Sequence, residues 1–117
     1  MFNSVGVICK PNDFTSQKTA LELGVLLKNL GASVLEDVGQ ITNEADLIIV
    51  VGGDGTILNT ARTYVDSNIP ILGVNLGRLG FLADVSVDSM ASAVTEILNG
   101  EFIKEQRSLL NCQIEQN

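Results

Sequence analysis

The run Leu47-Ile48-Ile49-Val50-Val51, cut off by Gly52-Gly53, restricts the fold of this chain more than any other feature. A β-branched, wholly apolar run with no polar alternation is a strand covered on both faces, the situation of a central strand in a parallel sheet. Two glycines force a turn at its end, and beyond them Ile57, Leu58, Ala61 and Val65 recur at helical spacing. A buried strand turning directly into a helix is the repeating unit of open α/β sheets.

The rest of the chain repeats that unit. Val5-Gly6-Val7-Ile8-Cys9 is a short apolar strand ended by Lys10-Pro11-Asn12-Asp13. From Asp13 or Thr15 onward Ala20, Leu23, Leu26, Leu27 and Leu30 mark a helix, with Gly31 where a C-terminal cap belongs. Ala32-Ser33-Val34-Leu35 resembles a second strand, and residues 36–44, polar and unperiodic, read as a loop with at most one helical turn. Residues 56–66 form the helix after the glycines, Pro70-Ile71-Leu72-Gly73-Val74 a further strand, and 75–84 a glycine-punctuated loop. A last helix spans 88–99, with Met90, Ala93, Val94, Ile97 and Leu98 inward and Gly100 as its cap. The expected fold class is α/β: an open, mostly parallel sheet with helices on both faces and right-handed crossovers. Residues 1–103 account for one such domain, whereas 104–117 are extended in character and end without a closing element.

Composition removes several functions. With 45% hydrophobic but only 4% aromatic residues, the core has to be aliphatic. The formal net charge of -7 argues against a general nucleic-acid surface or an electrostatic membrane anchor, so an anionic ligand needs local backbone N–H groups, an arginine or a divalent cation. There is no histidine, which removes the commonest general base and leaves acid–base chemistry to carboxylates. Cys9 and Cys112 have no metal-ligand spacing and read as ordinary thiols. No apolar run approaches the roughly 18 residues of a membrane span, and the N-terminus lacks the basic start of a signal peptide. A cytoplasmic location is the default expectation.

The segment Gly52-Gly53-Asp54-Gly55-Thr56 carries the chemistry. Glycines without Cβ atoms, able to take positive φ, allow close approach of phosphate oxygens, and the helix that follows would aim its N–H groups and positive dipole end at the same anion. Neither a dinucleotide fingerprint nor a P-loop is present, because Asp54 occupies the middle and no lysine closes the motif. A carboxylate in a phosphate loop is repelled unless it accepts a proton from an attacking hydroxyl or holds a magnesium ion. The plainer alternative is a tight strand-to-helix turn in which Asp54 or Thr56 caps the helix. Arg78 could pair with phosphate, and Arg62 could do so or remain a solvated surface residue. Phe81 either stacks on a flat ligand ring or plugs the core. Asn75 either hydrogen-bonds sugar or phosphate or holds its own loop together. Asp84 and Asp88 read as caps, and Asp37, Asp46 and Asp66 as solvated or turn positions.

Taken together, Val50-Val51-Gly52-Gly53-Asp54-Gly55-Thr56-Ile57-Leu58 and Gly73-Val74-Asn75-Leu76-Gly77-Arg78-Leu79-Gly80-Phe81-Leu82 resemble the N-terminal domain of bacterial NAD kinases, a Rossmann-like three-layer domain. The glycine element alone is shared with diacylglycerol, sphingosine and phosphofructokinase-type enzymes, while the second segment differs from the lipid-kinase pattern. The resemblance implies transfer of the γ-phosphoryl group of ATP, or of polyphosphate in some members, to the 2′-hydroxyl of the NAD adenosine ribose, with a divalent metal cation such as magnesium. It implies Asp54 as proton acceptor, Gly55 as a nucleotide contact, Phe81 as a wall of the NAD site and Leu58 as a further pocket residue. Where some members have a basic residue this chain has Asn59. The family continues into a β-rich second domain and its members are commonly dimers or tetramers, so residues 104–117 are expected to lead into that domain and the chain alone to be inactive. A lipid kinase sharing only the glycine loop, or a noncatalytic nucleotide-binding module, are the alternative readings.

Overall fold

The structure, a computed structural model, describes residues 2–76 and 85–99. The expected cap at Gly100, the tail 104–117, Cys112 and the candidates Arg78, Phe81 and Asp84 lie outside the described residues. In chain order the elements are β1 (Ser4–Cys9), α1 (Phe14–Asn29), β2 (Ser33–Leu35), α2 (Val38–Glu44), β3 (Leu47–Gly52), α3 (Asp54–Thr63), β4 (Ile71–Asn75), β5 (Val85–Ser86) and α4 (Met90–Leu98). Short 3₁₀ turns at Val65–Ser67 and Val87–Ser89 follow α3 and precede α4.

The five strands form one sheet in the order β2-β1-β3-β4-β5, and every pairing is parallel. All six residues of β3 are buried, as its unbroken apolar sequence requires. Alternation of side chains along the strands divides the core in two. Val5, Leu47, Ile49, Val51, Leu72 and Val74 meet Leu23 and Leu27 of α1 and Val94 and Ile97 of α4 on one face. Ile48, Val50 and Ile71 meet Ile41 of α2, Ile57 and Ala61 of α3 and Tyr64 just after it on the other. The chain steps from β1 out to β2 with α1 on the first face, then returns past β1 to β3 with α2 on the second, as right-handed crossovers demand.

Local chemistry sets the ends of these elements. The Asp13 carboxylate accepts from the Ser16 N–H at 2.9 Å and so caps α1. At the other end Gly31 takes φ 90°, and the Gly31 and Ala32 N–H groups donate to the Lys28 and Leu27 carbonyls at 3.0 and 2.9 Å, a Schellman ending. Asp46, expected to be a solvated or turn residue, instead accepts from the Asn3 and Ser4 N–H groups at 2.9 and 3.2 Å and ties β1 to the start of β3.

Two segments depart from the sequence expectation. Residues 36–44 are not a loop, because α2 occupies most of them, with Asp37 accepting from the Gly39 and Gln40 N–H groups as its cap. This helix buries a single residue, Ile41, so it offers no periodicity to read. What holds it is a hollow in β1: a Cβ on Gly6 would lie 2.9 Å from Ile41 Cγ1, so the missing side chain is the socket for Ile41. The second departure is β5, a two-residue strand formed only by pairing with Val74 and Asn75. Asp88 sits exposed in the 3₁₀ turn and is not the cap of α4, whose N-cap residue is Ser89.

Candidate nucleotide-phosphate site

The sheet order reverses between β1 and β3, and in open α/β folds the crevice beyond the carboxyl ends of strands at such a reversal is where ligands bind. The glycine turn lies there. Cys9 pairs with Val51, Gly52 with Asn75 and Asn75 with Ser86, so the strand ends form one rim. The Lys10 N–H donates to the Val51 carbonyl at 3.1 Å and the Leu76 N–H to the Gly52 carbonyl at 3.3 Å, fastening the neighbouring loops to β3. The loop after β1 was absent from the sequence-based site because nothing in the order of residues says that β1 and β3 are neighbours.

Helix α3 begins earlier than its apolar spacing predicts. Gly53 is the N-cap, with φ -104°, and Asp54 is the first helical residue rather than part of the turn. A carboxylate is favoured there by the helix dipole, which explains the early start. The Gly53 carbonyl accepts from the Ile57 N–H at 3.0 Å, so the helix itself offers no acceptor to the N–H groups of its first residues, Gly55 and Thr56 among them. Gly55 and Gly53 are exposed, while Asp54, Thr56 and Leu58 are half-buried. Asp54 and Leu58 are one turn apart and share a face of α3.

The glycines serve a purpose other than the expected one. Among the described residues only Gly31 has a glycine φ in the positive range, so conformational freedom is not what Gly52, Gly53 and Gly55 provide. Gly52 is needed for space inside the protein, since a Cβ there would come within 2.9–3.2 Å of the Thr56 side chain. At Gly53 and Gly55 an added Cβ would meet nothing within 4 Å among the described residues. Among the described residues, then, nothing sterically requires glycine at these two exposed positions.

Gly53, rather than Asp54 or Thr56, occupies the N-cap position of α3. Asn75 is 5% exposed at the rim, and that burial favours holding the strand end over contacting a ligand. Arg62 is exposed in the last turn of α3, about 12 Å along the helix from Asp54 at 1.5 Å per residue, and does not join the turn. No group of three or more His, Cys, Asp or Glu that could hold a metal ion occurs among the described residues.

A cavity of about 730 Å³ opens on the opposite side of α3, between Asn59 and Thr63 on that helix and Leu21 and Val25 on α1, with Ile8 and Cys9 as its floor. It contains none of the glycine-turn residues. It exists because β2 pairs only with Ser4, Val5 and Gly6 and leaves the end of β1 uncovered on that side. Burial, reinforced by Glu36 and Asp13, pushes the Cys9 thiol pKa up, so it is a poor nucleophile.

Fold and site together define an open α/β domain with an acidic glycine turn at a helix N-terminus. The family model described as the ATP-NAD kinase N-terminal domain matches residues 35–102, and the chain belongs to that family. The chain is 37% identical over 130 residues to the NAD kinase of Nitrosomonas eutropha, covering 97% of this chain and 44% of that protein. It is 54% identical over 77 residues to the NAD kinase of Hydrogenovibrio crunogenus, covering 66% of this chain and 26% of that one. Among solved structures, the NAD kinase of Archaeoglobus fulgidus in complex with ATP superimposes with a TM-score of 0.63 at 27% identity, over 81% of this chain and 36% of that chain. The yeast NADH kinase complexed with NADH shares the fold with a TM-score of 0.73 at 21% identity, over 85% and 38% of the two chains. The chain thus spans less than half the length of these curated relatives.

Proposed function

We propose that this chain supplies the phosphate-binding half of an NAD kinase, which transfers the γ-phosphoryl group of ATP, or of polyphosphate, to the 2′-hydroxyl of the NAD adenosine ribose. The observation that carries the reading is the turn itself: a carboxylate at the first helical position, between two exposed glycines whose added Cβ atoms would meet nothing within 4 Å among the described residues. In this reading Gly53 and Gly55 let phosphate oxygens reach the backbone N–H groups at the start of α3. Asp54 takes the proton of the 2′-hydroxyl as its oxygen bonds to the γ-phosphorus and the bond to the β-phosphate oxygen breaks, giving NADP and ADP. Leu58, on the same face of α3 as Asp54, contributes to the nucleoside pocket; the sequence assigns Arg78 to pairing with phosphate and Phe81 to lining the NAD site. A divalent cation neutralises phosphate charge and enters with the nucleotide.

The relatives are more than twice as long as this chain, and in this reading the rest of the NAD site lies in the part this chain does not span. The active species is the full-length protein, cytoplasmic and assembled as a homo-oligomer, with no role for nucleic acid or membrane. No helix among the described residues is long and apolar enough to cross a membrane.

The test is Asp54→Asn in the full-length protein, assayed by NADP formation. A loss of about 100-fold or more in kcat, the usual worth of a general base, is expected. Unchanged turnover would remove Asp54 from the chemistry and favour a noncatalytic nucleotide-binding role.

A further inference from the structure

We infer that Thr56 is a positioning residue: its side chain is a wedge against the bare backbone of Gly52 that fixes the first turn of α3, and with it Asp54, relative to the strand ends. The inference rests on the nucleotide-phosphate reading of the turn. A Cβ built on Gly52 would lie 2.9 Å from Thr56 Cβ, 3.0 Å from Oγ1 and 3.2 Å from Cγ2, so both branches of the threonine occupy the space a side chain at 52 would need. Gly52 is buried, paired with Asn75 and accepting from the Leu76 N–H at 3.3 Å. Ile57 and Ala61 anchor the body of α3 in the core. In the first turn, between Gly53 and Ile57, Thr56 is a side chain that meets the end of the strand at Gly52.

Two further features suit a wedge. Threonine is β-branched and stiff at χ1, so its contact with Gly52 constrains the backbone that carries it. The Thr60 hydroxyl, on a residue only 3% exposed, donates to the Thr56 carbonyl at 2.8 Å and holds that peptide from the next turn. This role differs from a direct contact between the Thr56 hydroxyl and the nucleotide. In the wedge the shape matters and the hydroxyl does not.

The two roles separate in the full-length protein through kcat and KM for ATP and NAD, with thermal unfolding measured on every variant. Thr56→Ala removes both branches and is expected to lower kcat by about 10-fold to 100-fold, the scale set by a displacement of about 1 Å at a reacting group. Thr56→Val restores the branched shape without the hydroxyl and is expected to recover activity to within about threefold of the parent. Gly52→Ala is expected to be as damaging as Thr56→Ala, and the steric exchange Gly52→Ala with Thr56→Gly to regain about tenfold or more of that loss. If Thr56→Val is as impaired as Thr56→Ala, the hydroxyl touches the ligand and the inference is overturned. It is also overturned if Thr56→Ala keeps full kcat, or if its only change is a lower unfolding temperature. Failure of the nucleotide reading is distinguishable, because the parent protein itself would then form no NADP.

Discussion

Replacing Gly55 with alanine should make this protein more stable and less able to bind its nucleotide. Gly55 is the second residue of α3 and does not have positive φ, and its added Cβ would meet nothing within 4 Å among the described residues. The fold therefore gains from alanine what helices ordinarily gain, roughly 0.5–1 kcal/mol, through lower chain entropy in the unfolded state. For a domain of this size that gain is a rise in unfolding temperature of about 2–8 °C. In the proposed phosphate site the same methyl stands where phosphate oxygens approach the helix N-terminus. Losing one charge-assisted hydrogen bond of about 1.5–3 kcal/mol corresponds to a 10-fold to 150-fold weaker interaction. Thermal unfolding followed by circular dichroism measures the first effect, and titration of the full-length protein with ATP and NAD the second. A destabilised Gly55→Ala variant would mean that the fold itself requires the glycine. A stabilised variant with undiminished nucleotide binding would mean that nothing closes on the turn, and the argument from the exposed glycines would fail.

Two other predictions address the scaffold. Gly6→Ala should cost about 1–3 kcal/mol, because its Cβ would sit 2.9 Å from Ile41 Cγ1 and push α2 off the sheet, and Ile41→Ala in the same background should relieve part of that loss in a double-mutant cycle of denaturant unfolding. Stability should also fall at alkaline pH. Burial, with Glu36 and Asp13, holds the Cys9 thiol above its ordinary 9.0, and burial, with Asp37, holds the Tyr64 phenol above its ordinary 10.0. Unfolding therefore releases protons in that range: the contribution is intact below the ordinary values and disappears as pH rises through the raised ones. An unfolding temperature that stays level from neutral to strongly alkaline pH would contradict this.

The amino-acid sequence by itself determined the α/β architecture, because the unbroken apolar strand at 47–51, the helical spacing at 20–30 and the glycine turn are local signals that survive without knowledge of neighbours. It determined the family for the same reason, since the segments at 50–58 and 73–82 are contiguous. Only tertiary structure decided the strand order, and with it the placement of the loop after β1 beside the glycine turn. It also decided that α2 exists, because one buried isoleucine leaves no period in the sequence and Gly6, which holds it, lies 35 residues earlier, as the numbering gives. The glycines at 52, 53 and 55 look alike in sequence, and their separate purposes emerged only from what surrounds each. Gly52 yields its space to Thr56 inside the protein, whereas at Gly53 and Gly55 no described residue fills the space, because close packing acts through distances in space that residue order does not record.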